Sequence, residues 1–381
     1  MRLKRTRLTA AAAATGTVCA LAAAGTVLAS TASAGTIWSK TATIPHSYTN
    51  ATPGLASFEQ DNVFGGVFVV WKGQLSNNVF YRYRFNGKWS PVRAIPGAHT
   101  TSSPAAAFYT NAQSQPSELV AWKALHSNTI FYSTGLIGSG PGSALTGWTS
   151  PRSIAVKGDP LAYSDTGPSI LFPINSPGAR VIIAWRGPGH HVRYEIGSEA
   201  GQNDRHFTFF HSYWISGGTA TNSTTTSGTP SLAEQVGPSG NGIVYVFWKA
   251  DNTGLKINKA IDYASVPDNV GGLGQKNGQL TWTLLGQVKF ASSTSAPAAS
   301  DLDPTQGTAP LLLAYKGPSG DFIRYQLLSL PTTTTPASWS PVFFVQGSNN
   351  TTTIGPALVG RTLVNVSPTT SGLMYVHYYT G

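Results

Sequence analysis

Short apolar runs recur along the chain, and each ends in an aromatic residue followed by a cation. The first run is VFVVWK (67–72), and the pattern returns in ELVAWKA (118–124), RVIIAWRG (180–187), IVYVFWKA (243–250) and PLLLAYKG (310–317). Runs of this length, bounded by turn residues, are typical of buried strands. Each run is followed by a polar loop, a strand with Tyr, a segment that begins with Trp, and a Ser/Thr and Pro loop that leads into a strand of small residues. Repetition at a period of tens of residues predicts a repeat architecture.

Three markers each count six units. The predicted first strands lie near Thr52–Gln60, Ser103–Thr110, Gly167–Ile174, Thr229–Val236, Ala296–Leu302 and Ile354–Arg361. The second strands are predicted to end at Trp71, Trp122, Trp185, Trp248, Tyr315 and His377, and the fourth strands to begin near Trp38, Trp89, Trp148, Trp214, Trp282 and Trp339. We therefore predict an all-β propeller with six blades, with seven as the alternative count. The last blade is expected to have a thin or missing third strand.

The two ends of the chain complement each other. WSKTATIP (38–45) resembles the fourth-strand segment WSPVRAIP (89–96), but it precedes any complete repeat. At the other end, IGPALVGRT (354–362) looks like a first strand and LMYVHYY (373–379) like a second strand, after which the chain stops. Pairing of the N-terminal and C-terminal strands would complete the last blade and close the ring.

The N-terminus has the features of a secretory signal peptide. A basic start at residues 2–7 precedes an Ala-rich apolar core and the small-residue sequence Ala32-Ser33-Ala34. We expect residues 1–34 to be removed, residues 35–381 to form a single propeller domain, and the protein to be secreted and associated with the cell wall. The removed segment contains Cys19, so the mature chain has no cysteine. Its loss of four cations lowers the formal net charge from +10 to +6, which does not single out nucleic acid as a partner.

The sequence offers no recognisable catalytic constellation. The chain has 15 carboxylates, and the neighbouring pairs Asp301 with Asp303 and Glu195 with Glu199 match no known catalytic arrangement. His190 and His191 are adjacent, which is not a metal-ligand spacing. No G-x-S-x-G motif and no cysteine nucleophile are present. We therefore expect a protein that is not an enzyme and that uses no metal and no cofactor.

The recurring aromatic and basic positions are candidate binding residues. Two interpretations of the aromatic positions compete, stacking on sugar rings and packing between blades, and packing is favoured because every repeat has the aromatic whatever its loop. The cations that follow would form a ring on one face, either to bind an acidic partner or to cover aromatic neighbours with their stems. On the third strands, arginines alternate with tyrosines, either in a binding groove or as cross-strand pairs. The aromatic positions are Trp71, Trp122, Trp185, Trp248 and Tyr315; the cations are Lys72, Lys123, Arg186, Lys249 and Lys316; the arginines are Arg82, Arg84, Arg193 and Arg324.

The repeat Trp-Lys-Gly, Tyr, Trp-Ser, Pro resembles two groups of proteins. One is the bacterial propeller lectins of the tectonin and fucose-lectin kind, in which sugars sit between blades against aromatic and arginine side chains. The other is the secreted Streptomyces propellers of the dispase autolysis-inducing kind, which are transglutaminase substrates that promote autolysis of a neutral metalloprotease. The second resemblance implies a non-enzymatic scaffold with transglutaminase and metalloprotease as partners and exposed glutamines as acyl donors. The candidates are Gln74, Gln346, Gln275 and Gln279. The alternative is a multivalent lectin that binds cell-wall glycans.

Overall fold

The computed structural model describes residues 38–379 with short gaps. The gaps are residues 61–62, 138–144, 157–162, 175–179, 202–204, 216–223, 238–241, 252–259, 268–278, 304–308, 331–336, 346–351 and 353. The predicted signal peptide lies outside the described residues. The regular elements of the described residues are all strands, apart from one short 3-10 turn at Pro188–His190.

Six antiparallel sheets of four strand positions each form the blades. In the first three blades the outer strand is broken into two pieces, both paired with the third strand. Blade 1 contains Gly54–Gln60, Val63–Lys72, Asn78–Phe85, Lys88–Trp89 and Arg93–His99; blade 2 contains Ala105–Thr110, Pro116–Lys123, Ile130–Ile137, Leu145–Thr146 and Arg152–Ser153; blade 3 contains Ser169–Leu171, Arg180–Arg186, Val192–Glu199, Phe207–Phe209 and Tyr213–Trp214. Blade 4 contains Ser231–Val236, Gly242–Lys249, Ala260–Pro267 and Thr283–Ser292; blade 5 contains Ala298–Asp301, Leu311–Lys316, Ile323–Leu328 and Phe343–Phe344; blade 6 contains Ala357–Val359, Thr362–Val366, Gly372–His377 and Ala42–Tyr48.

Strand Ala42–Tyr48 closes the ring. It pairs with Gly372–His377, with Ala42 opposite Tyr375 and Thr43 opposite Met374. The six-bladed propeller and its closure by terminal strands are therefore confirmed. The assignment of strands within blade 6 was wrong. Residues 373–377 belong to the third strand, and the second strand is Thr362–Val366, a short segment that lacks the aromatic and the cation of the other blades.

Each hydrophobic core lies between two neighbouring blades. There are six such cores among the described residues, and one of them joins blade 6 to blade 1 through residues such as Ile44, Val69 and Val364. The recurring aromatics Trp71, Trp122, Trp185, Trp248 and Tyr315 belong to these cores and are at most 2% exposed. Large rings at these positions fill the space between sheets and leave no ring face open to a sugar.

A repeated turn leads into every first strand. Its first residue is a Ser or Thr whose hydroxyl donates to the carbonyl two residues later, at 2.8–3.4 Å, and accepts from the amide of that same residue, at 3.0–3.3 Å. A proline follows four residues after it. The turns begin at Thr49, Thr100, Ser164, Thr226, Ser293 and Thr352, all at most 1% exposed. Because one such turn precedes each blade, the turn sequence alone counts six blades.

Candidate functional site

The six first strands surround a central channel, and each runs from the proline turns towards the opposite end. We call the end with the proline turns the narrow end, and the opposite end the wide end. Two residues after each proline, an aliphatic side chain points towards the axis: Leu55, Ala106, Ile170, Leu232, Ala299 and Leu358, each 6–9% exposed. This aliphatic ring borders a cavity of about 120 Å³ at the narrow end and another of about 470 Å³ at the wide end. The volume of the wide-end cavity is within the range of small-ligand sites.

Buried carboxylates line the wide-end cavity in the last halves of two neighbouring first strands. Glu234 of blade 4 is 6% exposed, and its Oε2 accepts a hydrogen bond from the Ile174 amide at 2.8 Å. Asp301 of blade 5 is 7% exposed and accepts from the amides of Val236 at 3.1 Å and Asp303 at 3.0 Å. Burial raises the pKa of Asp301 to about 6, although the two amides oppose the shift. Asp301 can therefore change its protonation state in weakly acidic solution.

An ion pair stands beside Asp301. Arg361, at the bend between the first and second strands of blade 6, donates from Nη2 to Oδ2 of Asp303 at 3.1 Å and from Nε to the Leu302 carbonyl at 3.3 Å. The bend is held by the Gly360 amide, which donates to the Ser300 hydroxyl at 2.7 Å. Gly360 has a φ of +49°, a conformation that glycine adopts without a steric cost. The bend thus holds the guanidinium at the wall of the cavity.

His377 lines the cavity where blade 6 meets blade 1. Its Nε2 lies 2.9 Å from Nη1 of Arg84, and its Nδ1 lies 3.0 Å from the Thr362 hydroxyl. Arginine can only donate, so Nε2 is the acceptor and the neutral ring carries its proton on Nδ1. Burial, and then the charge of Arg84, lower the pKa of His377. The imidazole is therefore held neutral, with Nδ1 donating to Thr362.

Blades 2 and 3 give the cavity a different wall. Phe108, Leu171 and Phe172 are half-buried there, and Ile174 is 57% exposed. The Phe172 ring stacks on Tyr109 with centroids 4.6 Å apart and an interplanar angle of 13°. This wall is apolar and aromatic, while the carboxylates, Arg361 and His377 come from blades 4 to 6.

The predicted basic positions lie at the narrow end, away from this cavity. Lys72 is buried and its Nζ donates to Asn50 Oδ1 at 2.9 Å, and Lys123 donates to Asn128 at 3.4 Å. Arg186 lies 3.3 Å from Asp165, and Lys316 lies 2.9 Å from Asp321. Lys249 donates to the Thr294 carbonyl at 3.5 Å. Each of the five cations thus has a neighbouring acceptor on the loops of the narrow end.

The third-strand arginines lie against aromatic rings, three of them on the outer strand of the same blade and one, Arg84, on the third strand of the neighbouring blade 6. The guanidinium of Arg193 lies 5.0 Å from the Trp214 ring, and that of Arg324 lies 5.2 Å from Phe344. Arg82 lies 5.9 Å from Trp89, and Arg84 lies 5.1 Å from Tyr375. Trp214, which also stacks on His191, is 50% exposed. The pairs of Arg82, Arg193 and Arg324 stabilise the outer blade edges, whereas the pair of Arg84 with Tyr375 joins blade 1 to blade 6. Trp214 leaves an aromatic surface open to solvent.

The glutamine candidates divide between the two ends. Gln74 is exposed in the loop after Lys72, at the narrow end. Its backbone N–H donates to the Tyr48 carbonyl at 3.1 Å. Gln279 is exposed just before the outer strand of blade 4, at the wide end. Gln275 and Gln346 lie outside the described residues.

Sequence reasoning missed most of the cavity. Asp301 and Asp303 were noticed as a pair and set aside, while Glu234, Arg361 and His377 were not selected. Their shared signal is position, because each polar residue lies close to the wide end of a first or third strand. Among the described residues, no group of three His, Cys, Asp or Glu side chains is arranged to hold a metal ion. The described part of the chain also has no helix with the length and apolarity needed to cross a bilayer.

Solved β-propellers are similar to this chain over most of its length. The GH93 α-L-arabinofuranosidase of Fusarium graminearum, solved with arabinobiose, has a TM-score of 0.53 at 9% identity, over 90% of this chain and 98% of that one. The same enzyme with an iminosugar inhibitor has a TM-score of 0.50 at 9% identity, over 89% and 98%. The Aleuria aurantia lectin has a TM-score of 0.49 at 13% identity, over 84% and 89%. No protein-family model and no curated protein sequence matches the chain. At these identities the likeness shows the propeller fold.

These findings overturn two expectations. The protein was expected to be a non-enzymatic scaffold that works through transglutaminase and a metalloprotease, and not to be an enzyme. That expectation was wrong, because solved propellers that match nine-tenths of the chain include glycoside hydrolases. The expectation that the protein is not an enzyme rested on the absence, in the sequence, of carboxylates that would lie close together in a site. The fold places Glu234, Asp301 and Asp303 on one cavity.

Proposed function

We propose that the protein binds a glycan in the wide-end cavity. The observation that carries the proposal is the lining of this one cavity of about 470 Å³, where carboxylates, a guanidinium and a neutral imidazole face aromatic side chains. Sugars present hydroxyl groups that pair with charged acceptors and donors. They also present apolar C–H faces that pack on aromatic rings.

The test is glycan binding by the 35–381 protein on an array of oligosaccharides, followed by titration of any hit by calorimetry. Two variants probe the cavity, Glu234→Gln and Arg361→Met. We expect each to weaken binding by about tenfold or more, because charged hydrogen bonds are worth roughly 1.5–3 kcal/mol. Loss of thermal stability is monitored in parallel.

Two matched variants serve as controls. Asp321→Asn removes a carboxylate of the narrow end, where Asp321 pairs with Lys316, and should leave binding unchanged. Trp214→Ala removes the exposed ring of the outer edge. A protein whose binding depends on Trp214 and ignores Glu234 and Arg361 would place the glycan site on the blade edge and refute the cavity proposal.

A second candidate function is hydrolysis of a glycosidic bond in the same cavity. The specific observation is Asp301, whose pKa is raised to about 6 by burial. A carboxyl group that stays protonated in weakly acidic solution can donate a proton to the leaving oxygen of a glycosidic bond, while a second carboxylate activates water. Glu234 is the second carboxylate that the cavity offers. The glycoside hydrolase neighbours support this candidate by their fold.

Hydrolysis is tested by incubating the protein with the array hits and measuring new reducing ends. We expect Asp301→Asn to abolish release while binding persists, and the wild-type rate to fall as pH rises through about 6, because the acid form of Asp301 is lost. Release that Asp301→Asn does not affect would exclude this role for Asp301. Binding without any release would leave the binding proposal alone.

Export is a further part of the proposal. The basic and Ala-rich start of the chain supports secretion, and an extracellular glycan, such as one of the cell wall, would then be accessible. Kinship with secreted Streptomyces propellers stays a prediction from the repeat. Detection of a mature N-terminus at Gly35 in culture medium would test the export step.

A further inference from the structure

The wide-end cavity has two chemically different halves. Blades 5 and 6 provide Asp301, Asp303, Arg361 and His377. All described residues that blades 2 and 3 contribute are apolar, and they include Phe108 and Phe172. The order of the first strands around the channel places blade 2 opposite blade 5 and blade 3 opposite blade 6. The polar wall and the apolar wall therefore face each other across the cavity.

The apolar wall is larger than one sugar face needs. Phe108, Leu171, Phe172 and Ile174 all border the cavity, and none is fully buried. Phe172 is held in place by its stacked contact with Tyr109, so it is a fixed surface that needs little ordering when a ligand binds. Apolar surface kept in this way at a site favours an apolar ligand group.

We infer that the ligand is a glycoside with an aromatic or similarly apolar aglycone, its sugar against blades 5 and 6 and its aglycone against Phe108 and Phe172. This inference rests on the proposed function and names the class of compound for the same site. The cavity volume, about 470 Å³, is within the range for a ligand of two such parts.

The experiment compares phenyl and methyl glycosides of the same sugar, for arabinofuranose, fucose, galactose and glucose, by calorimetric titration. We expect each bound sugar to bind about tenfold or more tightly as its phenyl glycoside, because burying an apolar ring is favourable. Phe108→Ser should remove most of this preference, because it should weaken the binding of phenyl glycosides far more than that of methyl glycosides. Phe344→Ser, at an exposed ring of the outer edge, is the matched control and should keep the preference.

The outcomes separate the inference from the function. Equal affinities for phenyl and methyl glycosides, both weakened by Glu234→Gln, would overturn the aglycone inference and leave glycan binding in the cavity standing. A phenyl preference that survives Phe108→Ser would also overturn it, because the aglycone would then lie elsewhere. No binding of any glycoside of either kind would overturn both.

Discussion

The two ends of the central channel differ in how strictly the six blades repeat. At the narrow end, all six blades have the same buried Ser or Thr turn, the same proline and a small residue, Gly, Ala or Ser, after it. At the wide end, no two blades contribute the same set of side chains to the cavity. Blades 2 and 3 provide apolar groups, and blades 4 to 6 provide the charges.

Packing explains why the six blades repeat so strictly at the narrow end. A Cβ on Gly54 would lie 2.7 Å from the Pro104 carbonyl and 2.8 Å from Cα of Ala105, so neighbouring blades touch there through their backbones. Such close approach restricts this position to small residues, and every blade has Gly, Ala or Ser there. Residues around the wide-end cavity face open space and are not restricted in this way. A binding site needs such divergence, so the broken repeat supports the proposal of a glycan site at the wide end.

The largest effect should come from the aromatics between blades. Trp185 is fully buried in the core between blades 2 and 3, and Trp185→Ala should lower the free energy of unfolding by roughly 3–5 kcal/mol. Chemical denaturation measures the change. Trp214→Ala, at a half-exposed ring, is the control and should cost much less. Similar losses from both would show that the recurring position has no special part in the core.

The repeated turns should come next. Thr100→Val keeps the shape of the side chain but leaves the Ser102 amide without its acceptor, and an unsatisfied buried group costs about 1–3 kcal/mol. Thr101→Val changes the exposed neighbour and should cost little. Glycan binding should not respond to either. Loss of glycan binding in a stable Thr100→Val protein would mean that the two ends are coupled. The narrow end would then have more than a structural role.

The same difference explains what the sequence could predict. The Trp-Lys runs, the Ser/Thr and Pro loops and the complementary termini are periodic because packing requires them, so six blades and the closing strand were predictable. The third strand of blade 6 was misassigned because Thr362–Val366 lacks the marker residues. Glu234 and Asp301 could not be paired from sequence, since 67 residues separate two positions that meet only around the axis. Residues that break a repeat leave no periodic signal.

A smaller effect on the stability of the protein should come from pH, through two titrating groups at the cavity wall. His377 has a pKa below its ordinary value because of burial and Arg84, so the unfolded chain takes up a proton before the folded one does. Stability from this group is present above about pH 6.5 and is lost as pH falls towards the pKa of the folded state. Asp301, whose pKa is raised to about 6, acts with the opposite sign, so the folded state gains stability as pH falls below that value.

The two contributions are separated by a variant. His377→Gln should reduce stability at pH 7.5, where the neutral ring bridges Arg84 and Thr362, and the difference from wild type should shrink towards pH 5. Urea denaturation at both pH values gives the comparison. His191→Gln controls for the other histidine whose pKa is lowered. A constant difference at both pH values would exclude His377 as the titrating group.

The smallest effect should come from the basic positions of the narrow end. Lys316 forms a partly exposed ion pair with Asp321, and Lys316→Met should change stability by less than about 1 kcal/mol. Lys72→Met should cost more, because Lys72 is buried and its ammonium donates to Asn50 and to the Gly73 carbonyl. Neither change should alter glycan binding at low or high salt. If Lys316→Met weakened binding and the loss grew at low salt, the cations would be part of a binding surface, and the narrow end would have a functional role as well as a structural one.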